Sequence, residues 1–516
     1  MSTLLRRCRS EAGARCRARY TASVATWSLS TSNREVLGQT NRASDGFPSD
    51  LLLPRYQAAV GGKALQLTQD LRDAILSGRL VPGAPLPPTR VLAAELGISR
   101  SVVVRAYNDL VADGYIEARQ GAGTRVRTAP GDRQIEGRMP RSTRLDAITP
   151  LVQTPAPLRL LGGLPDPHLF ARTAWMRHYR AALAAVPDAE LGYPDHRGAD
   201  ELRGALGAYL GRVRGLATDR DHILVCAGVT QGLTLTCRAL RRAGARQIAV
   251  EEPCFGAYRD AVAMTGLRTV PIAVDTDGLD VERLADHDIA AVLLAPAHSF
   301  PTGATLHPDR RRAILAWAQQ ADTLIIEDDY DAELRYDRTP IGALQGHAPE
   351  RVVYLGSSSK TLTPALRLGW IAAPSRLVAA LDHEKRVDDM GSSLIDQLTF
   401  ARYLATGDFA RHLRRVRPIY RRRRDATIEA LAHFVPDASW RGDAAGLHLY
   451  VELPDDVDVR ALTAAAYRRG VLLEDAAVHW ASPANTPPAL VLGYGTLADP
   501  TVAIAHLSKA IRDVRR

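Results

Sequence analysis

A lysine that follows a strand-like run and three serines is the chemically most suggestive residue of the chain. Lys360 lies in the segment YLGSSSKTLTPALRLGW, residues 354–370, and Arg367 follows it by seven positions. A lysine that forms a Schiff base must be held at a fixed point such as a strand end, and a phosphate ester needs hydroxyl donors and a guanidinium nearby. Ser357, Ser359 and Arg367 supply those donors. An exposed lysine beside a serine-rich loop is the simpler alternative, so this segment needs support from others.

Three further segments carry groups that suit an aromatic phosphate ester. CAGVTQGL places Val229 and Thr230 where a strand meets a helix, and backbone N–H groups at a helix start favour phosphate. IIEDDYDAELRY places Asp328 at the end of an apolar strand, where a carboxylate can keep a pyridine nitrogen protonated. Tyr330 can donate to the ring oxygen, and Phe255 in EEPCFGAY offers an aromatic plate. Each segment is weak alone, because acid clusters are usually solvated strand ends, but together and in this order they are strong.

These residues need a sheet to position them, and the chain from residue 159 onward predicts one. Apolar strand-like runs alternate there with helical stretches, which is typical of a mainly parallel α/β sheet covered by helices on both faces. Residues from about Ser439 onward are predicted to form a smaller α+β lobe. The predicted strands are Ile223–Cys226, Gln247–Val250, Ala290–Leu294, Thr323–Glu327 and Val352–Leu355.

A second pattern, near the N-terminus, predicts a helix-turn-helix followed by a wing. Gly97 ends one short helix, and Ser99 is a good N-cap for the next. The expected helices cover residues 64–78, 89–96 and 99–112, and the expected wing strands cover residues 115–118 and 124–127.

The polar side chains of this module suit DNA. A helix in the major groove needs basic and small polar side chains at its first turn. The residues that meet this need, with one that precedes them and can hold a phosphate, are Ser99, Arg100, Ser101, Arg105 and Arg90. Gly121, in the wing, lets the backbone approach a phosphate or the minor groove. A helical domain that binds protein is the alternative interpretation.

Charge and composition point the same way. The formal net charge is +9, and residues 159–516 hold 44 basic and 44 acidic residues, so the whole excess lies in the first 158. A basic segment beside a neutral body favours a polyanionic partner.

The five cysteines form no CxxC pair, so neither zinc nor disulfides are predicted. No apolar run approaches the roughly 20 residues of a membrane helix, and we expect a cytoplasmic protein without a membrane partner.

The N-terminal module resembles the winged helix-turn-helix of the GntR regulator family. The resemblance covers about 65 residues and rests on the pattern G..LP..R.LA..LG.SR..V..AY..L...G......G.GT. It implies that Arg90, Ser99, Arg100 and Ser101 contact DNA, with Gly121 at the wing tip.

Residues 159–516 resemble the fold-type I aminotransferase family, which implies pyridoxal phosphate as cofactor. By that resemblance Lys360 forms the Schiff base and Asp328 pairs with the pyridine nitrogen. Tyr330 would bind the ring oxygen and Phe255 would stack on the ring. The residues implied for the phosphate are Val229, Thr230, Ser357, Ser359 and Arg367. Tyr193, in GYPDHRG, matches a tyrosine that reaches the phosphate of the neighbouring subunit, which implies a head-to-tail, domain-swapped homodimer.

Two positions depart from the aminotransferase pattern. Phe300 stands where a ring-facing Asn is common, and it cannot hydrogen-bond the ring oxygen. Val491 stands about where an Arg commonly clamps the α-carboxylate of a substrate. Arg441 is a candidate substitute for that clamp. Without a clamp, ordinary amino-acid transamination loses a bidentate anchor.

The combination of the two modules resembles the MocR subfamily of bacterial regulators. It implies a transcriptional regulator in which pyridoxal phosphate, or its combination with a small amine effector, controls binding to double-stranded operator DNA. An active aminotransferase with an accessory DNA-binding domain is the alternative, and an enzyme fold retained only for dimerisation is a third. The predicted divisions are a disordered basic extension (1–52), the winged helix-turn-helix (53–127), a flexible linker (128–158) and the cofactor domain (159–516).

Overall fold

The computed structural model describes residues 62–119, 123–127, 156–336, 341–442, 444–483 and 486–515. The predicted N-terminal extension and Gly121 lie outside these ranges, as does the predicted linker up to residue 155. The chain divides into two units between Met139 and Pro140. No helix of the described residues is long and apolar enough to cross a membrane.

The N-terminal unit is a three-helix domain with a small antiparallel sheet. Its helices are α1 (Lys63–Leu76), α2 (Thr89–Glu95) and α3 (Arg100–Ala112), and its strands are β1 (Pro85–Leu86), β2 (Ile116–Arg119) and β3 (Gly123–Val126). β3 pairs with both β1 and β2, so the two longer strands form the predicted wing. Leu67, Leu92 and Leu110 are fully buried between the helices.

Ser99 occupies the N-cap position of α3, but its side chain does not cap the helix. Its hydroxyl lies 2.9 Å from the hydroxyl of Ser101 and makes no bond to a backbone N–H group of the first turn. The structure therefore confirms Ser99 as the N-cap residue, without the side-chain hydrogen bond that a serine often makes there.

The larger unit is built on an eight-stranded sheet. Its strands in chain order are β5 (Ile223–Cys226), β6 (Gln247–Glu252), β7 (Arg268–Asp275), β8 (Gly278–Leu279), β9 (Ala291–Leu294), β10 (Leu324–Asp329), β11 (Val352–Ser357) and β12 (Gly369–Ala372). The spatial order is β5-β12-β11-β10-β9-β6-β7-β8. The neighbours from β11 to β7 run parallel, whereas β12 and β8 run antiparallel to their neighbours.

Helices cover both faces of this sheet, as the alternating pattern predicts. Ile326 and Val353 pack into one buried cluster and Ile325 and Val352 into another, because successive strand residues point to opposite faces. The helices of the unit up to the C-terminal lobe are α4 (Arg172–Ala185), α5 (Asp200–Arg214), α6 (Val229–Arg242), α7 (Gly256–Met264), α8 (Pro308–Gln320), α9 (Ser375–Asp389), α10 (Leu394–Ala405) and α11 (Asp408–Phe434).

The C-terminal lobe packs a second sheet against two further helices. It contains β13 (Ser439–Arg441), β14 (His448–Glu452), α12 (Val459–Arg468), β15 (Val471–Leu472), β16 (Ala489–Gly493) and α13 (Thr501–Val514). β13, β14 and β16 are antiparallel. β4 (Leu158–Arg159) pairs in parallel with β15, so the last residue of the predicted linker lies in a strand.

The five predicted strands agree with the observed ones to within two residues, but β7, β8 and β12 of this sheet were not predicted. Pro271 lies inside β7 and hides the strand pattern. β12 begins at the end of the segment that contains Lys360 and Arg367. The sequence pattern of that segment is typical of a loop and does not indicate a strand.

Candidate functional site

Lys360 projects into a cavity at the carboxyl ends of the parallel strands. The lysine follows the end of β11 by three residues, and its amino group lies 3.3 Å from the position that a Cβ on Gly163 would take. Burial lowers the pKa of the Lys360 amine, which Asp331, Asp328 and Glu474 partly offset. The cavity is lined by Leu161, Gly162, Gly163, Leu164, Phe255, Tyr258, Phe300, Asp328, Tyr330, Lys360 and Glu474.

Asp328 reaches the same cavity from the adjacent strand. It lies opposite Leu355 in the parallel register of β10 and β11, and its side chain is buried. Burial raises the pKa of this carboxyl to about 8, and a hydrogen bond from Tyr258 opposes that shift. The Oδ1 atom of Asp328 has no hydrogen-bond partner among the described residues. A buried oxygen without a partner is costly, so it marks a place where a ligand donor would be stabilising.

Tyr330 and Asp331 meet at one ring nitrogen of His298, and all three side chains are buried. Its hydroxyl lies 3.0 Å from Nδ1 of His298, and the same nitrogen lies 2.9 Å from Oδ2 of Asp331. His298 and Tyr330 also stack, with ring centroids 6.1 Å apart. The sequence identified Tyr330 alone. His298 was visible only as a near neighbour of Phe300, in the segment that departs from the aminotransferase pattern.

A phosphate-sized group would meet several donors at the start of α6. Gly228 precedes that helix with φ of 93°, a conformation that favours glycine. The guanidinium nitrogens of Arg367 lie 3.3 Å from where a Cβ on Gly228 would stand, and Arg367 donates to the carbonyl of Ala227. Val229 is buried, whereas Thr230 is exposed at the same helix start.

Ser357 and Ser359 stand at the end of β11, as the motif predicts. Ser357 is buried, and its hydroxyl lies 3.4 Å from the backbone nitrogen of Ser359. The hydroxyl is therefore held by the turn that leads to Lys360. The structure places both serines between the strand and the lysine.

Two aromatic side chains line one side of the cavity. Phe255 and Phe300 meet edge to face, with ring centroids 5.6 Å apart. Phe300 also lies edge to face with Tyr330, at 6.4 Å. Phe255 therefore lines the cavity as a ring fixed by its aromatic neighbour, and Phe300 brings an apolar edge where a hydrogen-bonding amide is common.

The lining of the cavity also contains a buried acid that no sequence motif indicated. Glu474 accepts a hydrogen bond from the backbone N–H of Gly162 at 3.0 Å and one from Nε2 of His479 at 3.1 Å. Gly162 and Glu474 are 312 positions apart. The segment VLLEDAAVHW, which holds Glu474 and His479, carries no spacing that would have revealed their meeting.

Neither position considered for a carboxylate clamp provides a cation to the cavity. Val491 is fully buried in β16 and packs beside Phe300 and Tyr450. Arg441 lies in β13 and pairs with Glu452 at 2.6 Å. Among the described residues that line the cavity, Lys360 is the one cationic side chain.

Tyr193 lies outside the cavity lining. Its side chain is 86% exposed, which makes it the most exposed large apolar or aromatic residue among those described. An exposed tyrosine of this kind is available to a second subunit, and the monomer does not bring it to Lys360.

The N-terminal unit presents its predicted contact residues on one helix. Ser99, Arg100, Ser101 and Arg105 are all exposed at the start of α3 and one turn further. Arg100 is steadied by Thr89, whose hydroxyl lies 3.4 Å from Nε. Arg90 is exposed at the start of α2.

Comparisons with known proteins match both units. Residues 63–126 match the family model of bacterial regulatory proteins, gntR family, and residues 171–490 match that of aminotransferase class I and II. The HTH-type pyridoxine biosynthesis transcriptional regulator PdxR of Corynebacterium glutamicum is 33% identical over 86% of this chain and 95% of its own length. The probable rhizopine catabolism regulatory protein MocR of Rhizobium meliloti is 31% identical over 79% of this chain and 85% of its own.

Solved structures of similar fold are aminotransferases. Kynurenine aminotransferase of Pyrococcus horikoshii superposes with a TM-score of 0.66 at 26% identity, over 72% of this chain and 95% of its own. The multiple substrate aminotransferase of Thermococcus profundus gives 0.67 at 25% identity, over 73% and 96%.

Proposed function

This chain belongs to the MocR-type transcriptional regulators, which join a gntR-family DNA-binding domain to a class I and II aminotransferase domain, and we propose that pyridoxal phosphate at Lys360 controls the affinity of the protein for operator DNA. The regulator function rests on the relatives. The observation that carries the cofactor's role is the presence of Lys360 and the unpartnered Oδ1 of Asp328 in one cavity.

The residues present fit pyridoxal phosphate. Asp328 offers a buried acceptor for a protonated pyridine nitrogen, and Tyr330 and Lys360 line the same cavity. Arg367 and the N–H groups at the start of α6 form an anion site beside Gly228, where a side chain would fill the space. When bound, the cofactor would supply an electrophilic carbonyl and an electron sink.

Each of the protein's own residues would have a separate role in binding the cofactor or the partner subunit. The lowered pKa of Lys360 makes its neutral amine, the nucleophilic form, more available. Phe255 would cover the ring, and Ser357, Ser359, Val229, Thr230 and Arg367 would fix the phosphate. Exposed Tyr193 would reach the partner subunit of a head-to-tail, domain-swapped homodimer.

Control of DNA binding would follow from the geometry of two recognition helices. A dimer reads two half-sites at a fixed spacing, so a small change in the distance between its winged domains alters affinity. Cofactor or amine effector in the cavity would change how the lobes close and thereby shift that spacing.

A DNase footprint on the intergenic DNA upstream of the protein's own gene tests the proposal. We expect protection of two half-sites whose extent changes when pyridoxal phosphate is added. Protection that is identical with and without the cofactor, in a protein shown to bind it, would refute cofactor control.

A second function, transamination, is favoured by the presence of Lys360, Asp328 and Tyr330 together in the cavity. The apolar Val491 at the clamp position weighs against ordinary amino-acid substrates. Turnover of an amino donor with a keto acid would establish it.

A further inference from the structure

The carboxylate of Glu474 can accept more hydrogen bonds than the two that it makes. One oxygen accepts from the N–H of Gly162 and the other from Nε2 of His479, so each oxygen uses one of about two lone-pair positions. Glu474 is buried and lines the cavity that contains Lys360. Its position is fixed from two sides, because Gly162 and His479 belong to distant parts of the chain.

The two groups that hold Glu474 do not neutralise its charge. The N–H of Gly162 is a neutral donor. The nitrogen Nδ1 of His479 accepts from the backbone N–H of Gly256 at 3.4 Å, which fits a neutral ring with its proton on Nε2, facing Glu474. Buried carboxylates are normally paired with a cation, and beside a neutral His479 ring this one has no cationic hydrogen-bond partner among the described residues.

Among the charged residues that line the cavity, one acid would have no partner on the cofactor. Its charged lining residues, among those described, are Lys360, Asp328 and Glu474. The cofactor would engage Lys360 and Asp328, which leaves Glu474 facing whatever fills the remaining space. Leu161 and Leu164 are apolar members of the same lining, and Glu474 itself is buried.

The same space is unsuited to a carboxylate. Val491 offers no cation, and Arg441 is engaged by Glu452 outside the cavity lining. An amino acid placed here would set its carboxylate near Glu474 in a poorly solvated site, where like charges repel strongly. The electrostatics select a ligand with a positive group.

We propose that Glu474 is the anchor for an ammonium group of the effector, so that the cavity selects an amine with a second cationic group and no carboxylate. This inference rests on the proposed function, because it takes pyridoxal phosphate at Lys360 as given. His479 acts as a positioning residue that orients the carboxylate, and Gly162 presents the backbone donor on the other side.

The test compares ligands that differ only in their far end. Full-length protein is loaded with pyridoxal phosphate and freed of excess cofactor. Calorimetry then measures the affinity for unbranched diamines from ethane-1,2-diamine to hexane-1,6-diamine. Each is compared with the monoamine and the ω-amino acid of the same length. A buried charge pair predicts that the best diamine binds about tenfold to a hundredfold more tightly than its two matched ligands.

Glu474→Gln should abolish that preference, since the amide keeps the size but loses the charge. Glu474→Asp keeps the charge and should retain part of it. Glu452→Gln is the matched control, because Glu452 pairs with Arg441 away from the cavity, and it should leave the preference unchanged. If the Gln variant does not fold, the wild-type ligand series still decides.

Cofactor absorbance and operator binding are recorded on the same samples. Equal affinities for diamine and monoamine overturn the inference alone, provided that the protein shows both cofactor absorbance and cofactor-dependent DNA binding. A preference for diamines that survives in Glu474→Gln also overturns it. Absence of cofactor absorbance overturns the proposed function, and the inference with it.

Discussion

Asp328 and Lys360 enter one cavity from neighbouring parallel strands, β10 and β11, whose carboxyl ends lie side by side. The acid is the second-last residue of β10 and has almost no solvent contact, and the lysine follows β11 after Ser358 and Ser359. In the function that we propose, a cofactor with a basic ring nitrogen and a carbonyl group would engage both side chains from within this cavity.

Lys360→Ala should remove the visible absorbance of bound pyridoxal phosphate, because no other lysine lines the cavity. We expect the variant to keep residual operator binding, since the recognition helix lies in the other unit, and to lose its response to the cofactor. Spectra of dialysed protein and fluorescence anisotropy with operator DNA measure both. Lys509→Ala, at an exposed position of α13, is the control. A variant that still responds to cofactor would contradict the proposal.

Asp328→Asn should reduce the pH dependence of stability in cofactor-free protein. The pKa of Asp328 is about 8 when folded against its usual 3.8, so between these values the folded state holds a proton that the unfolded state has lost. Its contribution to stability is therefore full below the lower value and is lost as the pH rises towards the higher one, by at most about 1.4 kcal/mol per pH unit. Urea unfolding from pH 5 to pH 8 should show a shallower decline in the variant.

The same substitution should weaken cofactor binding, since an amide cannot stabilise a pyridinium as a carboxylate does. Asp286→Asn, at an exposed position, is the control for both measurements. A pH profile that matches the wild type in Asp328→Asn would show that other buried acids, such as Glu251 with a pKa raised to about 7, dominate the decline.

Arg100→Ala should weaken operator binding by about 1–3 kcal/mol if the guanidinium contacts a base, or lower the salt slope by about one if it contacts a phosphate. Either effect follows from its exposed place at the first turn of α3. Anisotropy titrations over a range of salt concentrations separate the two. Arg242→Ala removes an arginine of the other unit that pairs with Glu384, and should change neither quantity.

Gly369→Ala should destabilise the protein by about 1–3 kcal/mol, as overpacking does. A Cβ at this position would stand 2.6 Å from the Cα of Gly228, in the backbone that leads into α6. The affinity for pyridoxal phosphate should fall as well, because the same backbone forms the anion site. Gly204→Ala has open space in the helix α5 and should be neutral or stabilising by up to about 1 kcal/mol. Similar unfolding midpoints for the two variants would exclude the close approach as a constraint.

The parts of the site that lie in continuous segments could be predicted from sequence. Lys360 and Arg367 share one motif, and Asp328 and Tyr330 another, so local spacing was enough to place them. The exposed polar side chains at the start of α3 were predictable for the same reason, because a single helix presents them.

The parts that depend on tertiary contacts could not be predicted. Glu474 meets Gly162 across 312 positions, and the pairing of β4 with β15 is what brings the two segments together. The link from Tyr330 through His298 to Asp331 joins the end of β10 to a loop 32 positions earlier. Contacts between residues so far apart in the chain leave no periodic pattern in the sequence.

The strand β4 and one wall of the cavity belong to the same short stretch of chain. Leu158 pairs with Val471, and only four positions later Gly162 and Gly163 form a wall of the cavity. The wall of the cavity therefore continues directly from the strand that pairs with β15, and backbone hydrogen bonds from Leu160 to Leu472 and Gly493 hold the residues between them. A ligand that pressed on this wall would act on those bonds directly.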